Sequence, residues 1–157
     1  MHINENLKST YNLQGFVVIK NFFTSSDIKR LKKKVIKKVK KINSKNIYNE
    51  KISKNKIRLR RVEKVTENIK EVKKLLYSKK IKHLLKYITN KNNILFKDKL
   101  NFKYPGGQGF RPHIDGHFYW KDRKNKKREG WSEYSNTFTN LVIPLEDSDK
   151  KNGCLYL

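Results

Sequence analysis

The chain has 157 residues, 36% of them apolar and 34% charged, and 39 Lys and Arg against 14 Asp and Glu leave a formal net charge of +25. That length suffices for one domain with its own core. The one cysteine, Cys154, excludes a disulfide framework within the chain and fits a reducing compartment. No apolar run reaches the ~18 residues of a membrane span, and "MHINENLKST" lacks a charged-then-apolar signal pattern. These features read as a cytoplasmic protein with no membrane partner. Lysine far outnumbers arginine and recurs with Asn and Ile along most of the chain. Codon composition explains that pattern better than phosphate recognition, which leans on arginine as well. Nucleic acid is therefore not the favoured partner.

In chain order, "GFVVIKNFF" (15–23) is β-branched and aromatic and reads as a short strand. "TSSD" offers capping residues for a helix whose apolar stripe is Ile28, Leu31, Val35, Val39 and Ile42. Residues 43–55 are polar and read as loop; "KIRLRRV" (56–62) alternates and reads as strand. A helical zone covers 66–89, with stripes Val65, Ile69, Val72, Leu76 and Ile81, Leu84, Leu85, Ile88, and Ser78 as the cap between them. From residue 94 the texture changes. "ILFKDKLNFKY" (94–104) alternates, "PGGQG" is a turn, "HIDGHFYW" is a strand, and "KDRKNKKREG" (121–130) is a charged loop. "TFTNLVIPLED" (137–147) is a strand, and "CLYL" begins another. The domain divides into a helical part, 1–92, and a strand-rich part, 93–157. That order gives an α+β fold whose strands wrap into a sandwich or barrel.

One segment carries chemistry. In "GFRPHIDGHFYW", His113, Asp115 and His117 alternate, which on a strand puts all three on one face. An imidazole and a carboxylate two residues apart make two-thirds of the His/carboxylate triad that holds ferrous iron and leaves positions open for oxygen. Three same-face residues span about 13 Å at ~3.3 Å per residue, too far for one ion to touch all three on a straight strand. His117 therefore reads as a substrate-pocket or supporting residue rather than a ligand.

"FKDKLNFKYPGGQGFRPHIDGHFYW", followed by "NTFTNLVIPLEDSDKKNGCLYL", resembles the phytanoyl-CoA dioxygenase family of iron(II)- and 2-oxoglutarate-dependent oxygenases. "GFVVIKNFFTSSDIKRLKKKV" resembles the family's opening strand and helix. The resemblance implies a double-stranded β-helix, a cupin-like jelly-roll barrel with the N-terminal helices packed on it. It implies His113 and Asp115 as iron ligands, with Fe(II), 2-oxoglutarate and O₂ required. Halogenating members carry a small residue at the position of Asp115, so the carboxylate here implies hydroxylation, of a small polar or acyl metabolite. Lys99 and Asn101 fall on the strand where members place 2-oxoglutarate contacts, Asn101 as a supporting residue rather than a direct contact, and Phe110 falls where members have an aromatic beside that co-substrate. Tyr119 and Trp120 fall where members place aromatics toward substrate, beside His117. The family's distal histidine and its 2-oxoglutarate-binding arginine lie beyond the "NG-x-L" strand. The resemblance thus implies a barrel incomplete at Leu157, weak iron binding and no turnover by these 157 residues alone. Two other classes stay open: a basic nucleic-acid-binding protein, and a cupin-like metabolite binder without redox chemistry.

Overall fold

A computed structural model describes residues 6–54, 56–105 and 111–155. The first helix, α1 (Asn6–Gln14), closes on Gly15, whose N–H bonds the Tyr11 carbonyl at 2.9 Å with φ at 79°. This helix was not anticipated; its sequence lacks an apolar stripe, and it buries no residue completely.

The segment 15–23, expected as a strand, is irregular, because no neighbouring backbone among the described residues pairs with it. It ends at Thr24, whose hydroxyl accepts the Asp27 N–H at 3.1 Å and caps α2 (Ser25–Val39) as the sequence implied. The stripe of α2 buries Val35 and Val39, and Ile42 follows them into the core just past the helix end.

Residues 43–55 are not simply a loop. β1 (Ile47–Ser53) pairs antiparallel with β2 (Lys56–Glu63), with register Ile47↔Val62 and Glu50↔Arg58. The polar sequence of β1 hides it, since only its pairing and an Arg58–Glu50 ion pair at 2.6 Å betray a strand. The helical zone is three helices: α3 (Val65–Asn68), α4 (Lys70–Leu76) and α5 (Lys79–Thr89). Ile69, in an extended conformation between α3 and α4, breaks the periodicity so that its own side chain is wholly buried. Ser78 caps α5, accepting the Ile81 N–H at 3.4 Å.

β3 (Lys99–Asn101) completes an antiparallel sheet of order β1–β2–β3, with Val62 opposite Leu100 and Arg61 opposite Asn101. Val35, Val39, Ile42, Val62, Val65 and Ile69 form the core, with Leu100, Phe102 and Leu145 packed against it. Helices α2 and α3, with Ile69, thus pack on one face of the sheet. Across that packing the Lys38 ammonium donates to Glu71 on α4 at 2.7 Å, and this bond holds the Glu71 carboxyl below its ordinary range.

The charged segment 121–130 is not a loop but half of a hairpin. β4 (Tyr119–Lys121) pairs with β5 (Lys127–Glu129), Trp120 facing Arg128. The Asp122 carboxylate organises the turn, accepting backbone N–H groups of Lys124 and Lys126 at 2.9 and 3.0 Å and the Arg128 guanidinium at 3.0 Å. The Lys126 amide, then Arg128, hold the Asp122 carboxyl low; the same hydrogen bond pushes Arg128 up.

The observed fold is therefore mixed helix and sheet, as expected. Among the described residues its two short antiparallel sheets do not close into a barrel. Segments 94–98, 113–118 and 137–147, expected as strand, run without ladder partners.

Candidate metal site

The reading of 113–117 as one strand face is corrected by the backbone. Asp115 and Gly116 form a turn, with Gly116 at φ 83°. The Asp-Gly pair is itself a turn signal, and in the sequence it outranks the alternation around it. The two expected ligands meet nonetheless. His113 Nε2 lies 3.3 Å from Asp115 Oδ1, with side chains 54% and 32% exposed. Past the turn, the His117 ring stands 6.4 Å from that of Tyr119.

The surroundings fix both groups. His113 Nδ1 lies 2.6 Å from the Arg111 carbonyl oxygen. A carbonyl only accepts, so Nδ1 carries hydrogen and donates. Nε2 then faces a carboxylate oxygen, and two electron-rich atoms at 3.3 Å require a proton or a metal cation between them. Two ligands bonded at about 2.1 Å and set at right angles stand about 3 Å apart, so the pair fits two positions on one ion. The other carboxylate oxygen, Asp115 Oδ2, accepts from the Asn140 amide at 3.2 Å. Among the described residues no group of three or more His, Cys, Asp or Glu could hold a metal.

The turn is held from behind. Trp131 N–H donates to the Gly116 carbonyl at 3.1 Å. A Cβ on Gly116 would meet the Trp131 ring at 2.9 Å, and a Cβ on Gly130 would meet the Gly116 oxygen at 1.7 Å. Phe96, Trp131, Tyr134 and Phe138 cluster there, Phe96 lying 5.0–5.5 Å from the other three rings. Trp120 stacks on Tyr134 at 6.5 Å and donates its Nε1–H to the Gly130 carbonyl at 3.4 Å. A cleft of about 770 Å³ opens between this cluster and the α3–α4 segment, with Phe118, Trp120 and Trp131 on one wall and Lys64 and Lys73 on the other.

The other expected site residues lie apart in role. Leu100 packs on the core, so Lys99 and Asn101 project from the opposite face of β3 and are exposed. The contacts that fix His113 and Asp115 come from Arg111 and Asn140, neither on β3. Tyr119 is exposed under the Lys127 ammonium, 3.8 Å from its ring centre, while Trp120 is half-buried and both packs and lines the cleft. Phe110 lies outside the described residues. Asn140, Gly130 and Trp131 were missed, because each acts by a tertiary contact and only the turn-forming Gly116 left a local trace.

The His-x-Asp turn thus brings an imidazole nitrogen, its ring fixed by a backbone carbonyl, to within 3.3 Å of a carboxylate oxygen. The chain belongs to the phytanoyl-CoA dioxygenase family, which it matches over residues 11–157. It is 33% identical over 72 residues, 46% of its own length and 23% of the relative's, to dioxygenase lolE1 of Epichloe uncinata. Over 96 residues, 60% of this chain and 32% of the relative, it is 28% identical to 2-aminoethylphosphonate dioxygenase of an uncultured bacterium. Over 85 residues, 54% of this chain and 28% of the relative, it is 28% identical to methylphosphonate hydroxylase of Gimesia maris. The matches thus span about a quarter to a third of these curated relatives, between 23% and 32%. No solved structure matches the chain.

Proposed function

We propose that this chain carries the metal-binding turn of an iron(II)- and 2-oxoglutarate-dependent dioxygenase that hydroxylates a small polar or acyl metabolite. The observation that carries the reading is the approach of His113 Nε2 to Asp115 Oδ1, at 3.3 Å, with the imidazole tautomer set by Arg111. Family membership supports it, as do two relatives named for chemistry on phosphonates. When bound, the iron would supply oxygen activation coupled to oxidation of 2-oxoglutarate.

The chain's own part is to hold and orient. His113 offers its Nε2 and Asp115 a carboxylate oxygen, and the exposure of both leaves access for co-substrate. Lys99, Asn101 and Phe110 are the proposed 2-oxoglutarate-binding residues, Lys99 as a charge-assisted donor to a carboxylate, Asn101 in a supporting role and Phe110 as an aromatic beside the co-substrate. His117, Tyr119 and Trp120 are the proposed substrate-side residues; of the three, Trp120 lines the cleft, whose walls include neither His113 nor Asp115. The jelly-roll barrel that the family implies belongs to the same proposal.

The test is anaerobic equilibrium dialysis against iron(II). The wild-type chain retains iron weakly, with two protein ligands in place, and 2-oxoglutarate raises that retention by adding its own donor oxygens to the ion. His113→Ala and Asp115→Ala lose both effects. Equal retention by the double variant sinks the reading.

A further inference from the structure

The geometry points to Asn140 as a positioning residue that presents Asp115 to the metal through one oxygen only. The inference rests on the proposed metal site and adds to it a group from a different segment, 25 residues further along the chain.

The argument begins with what each atom can do. An ionised carboxylate has acceptors only, so the amide face toward Asp115 Oδ2 must be the NH₂. Its hydrogen bond at 3.2 Å engages Oδ2 while Oδ1 faces His113 Nε2 at 3.3 Å. The two carboxylate oxygens therefore have separate partners, and the plane of the group is fixed. Without the amide, Oδ2 is free to turn toward the cation, and Asp115 becomes a two-oxygen ligand or swings away.

Asn140 is itself held. Its segment forms no strand, yet three neighbours tie it down. Lys91, just past α5, donates to the Thr137 hydroxyl at 3.1 Å. The Phe138 ring packs on Phe96 and Trp131 at 5.0 and 5.3 Å. The Thr139 hydroxyl lies 3.4 Å from the Tyr11 hydroxyl on α1. These contacts come from three parts of the chain and converge on the residues just before Asn140. Ligand-orienting groups of this kind are worth about 10–100-fold in metal affinity.

The experiment titrates the 157-residue chain with cobalt(II) and follows the visible absorption of the bound ion. The amplitude gives affinity, and the band shape reports the number and arrangement of donor atoms. Asn140 is exposed, so Asn140→Ala keeps the fold, as far-UV circular dichroism will verify. The expected result is a loss of about tenfold or more in cobalt affinity for Asn140→Ala, with a changed band shape. Wild-type affinity together with an unchanged band overturns the positioning role and leaves the metal site standing. Asp115→Ala serves as the reference for the site. If it binds cobalt as the wild type does, the metal site fails, and the role of Asn140 fails with it.

Discussion

Gly130→Ala places a methyl group where the structure has no room. The new Cβ would stand 1.7 Å from the Gly116 carbonyl oxygen and 2.8 Å from its carbon. Either Gly116, next to Asp115, or the end of β5 must retreat by more than an ångström. Overpacking of this kind costs about 1–3 kcal/mol. The displacement also breaks the Trp131–Gly116 hydrogen bond, about 1 kcal/mol, and a side chain in the left-handed region adds about 1 kcal/mol more. The sum is about 4 kcal/mol. With a urea slope of about 1.5 kcal/mol/M, the midpoint falls by about 2–3 M. The two tryptophans, Trp120 and Trp131, both belong to this hairpin cluster, so intrinsic fluorescence during urea unfolding reads the site directly. Gly15→Ala is the control. It has a comparable positive φ of 79° but nothing within 4 Å of the new Cβ, so it shows backbone strain alone, about 1 kcal/mol. A fall in midpoint for Gly130→Ala no larger than that for Gly15→Ala refutes the close-approach argument.

Two further predictions concern the scaffold. Ile69→Ala empties a fully buried position in the core and costs about 2–5 kcal/mol, whereas Ile94→Ala, at a position 91% exposed, stays within about 0.5 kcal/mol; calorimetric Tm values that fail to separate the two contradict the core assignment. The hydrogen bond from Lys38 depresses the Glu71 carboxyl. Its contribution to stability is therefore complete above the ordinary glutamate value of about 4.3 and disappears as pH falls through the lower folded value. Urea midpoints measured from pH 6 down to pH 3 should fall less steeply in Glu71→Gln than in the wild type, and parallel curves would show that the pair contributes nothing.

What the sequence by itself determined was whatever is written in short-range pattern. The stripes of α2 and α5 were legible because an apolar face every three to four residues has one use, burial, and because Thr24 and Ser78 cap at the predicted positions. β2 was legible from alternation. The proposed ligand pair was legible from residue type and from the family pattern, though for a geometric reason that does not hold: the residues meet where the chain enters a turn, not along a strand face.

Only the tertiary structure decided the rest. A strand exists only where another backbone satisfies its hydrogen bonds. The polar β1 therefore forms because β2 lies beside it, while the strand-like 15–23 and 137–147 do not form. The charged stretch 121–130 became a hairpin because Asp122, Arg128 and Glu133 satisfy one another's charge and the turn amides. Asn140 reaches Asp115 only because Tyr11, Phe96 and Lys91 fix the residues just before it. Contacts between segments depend on packing distances in space, and no local periodicity encodes them.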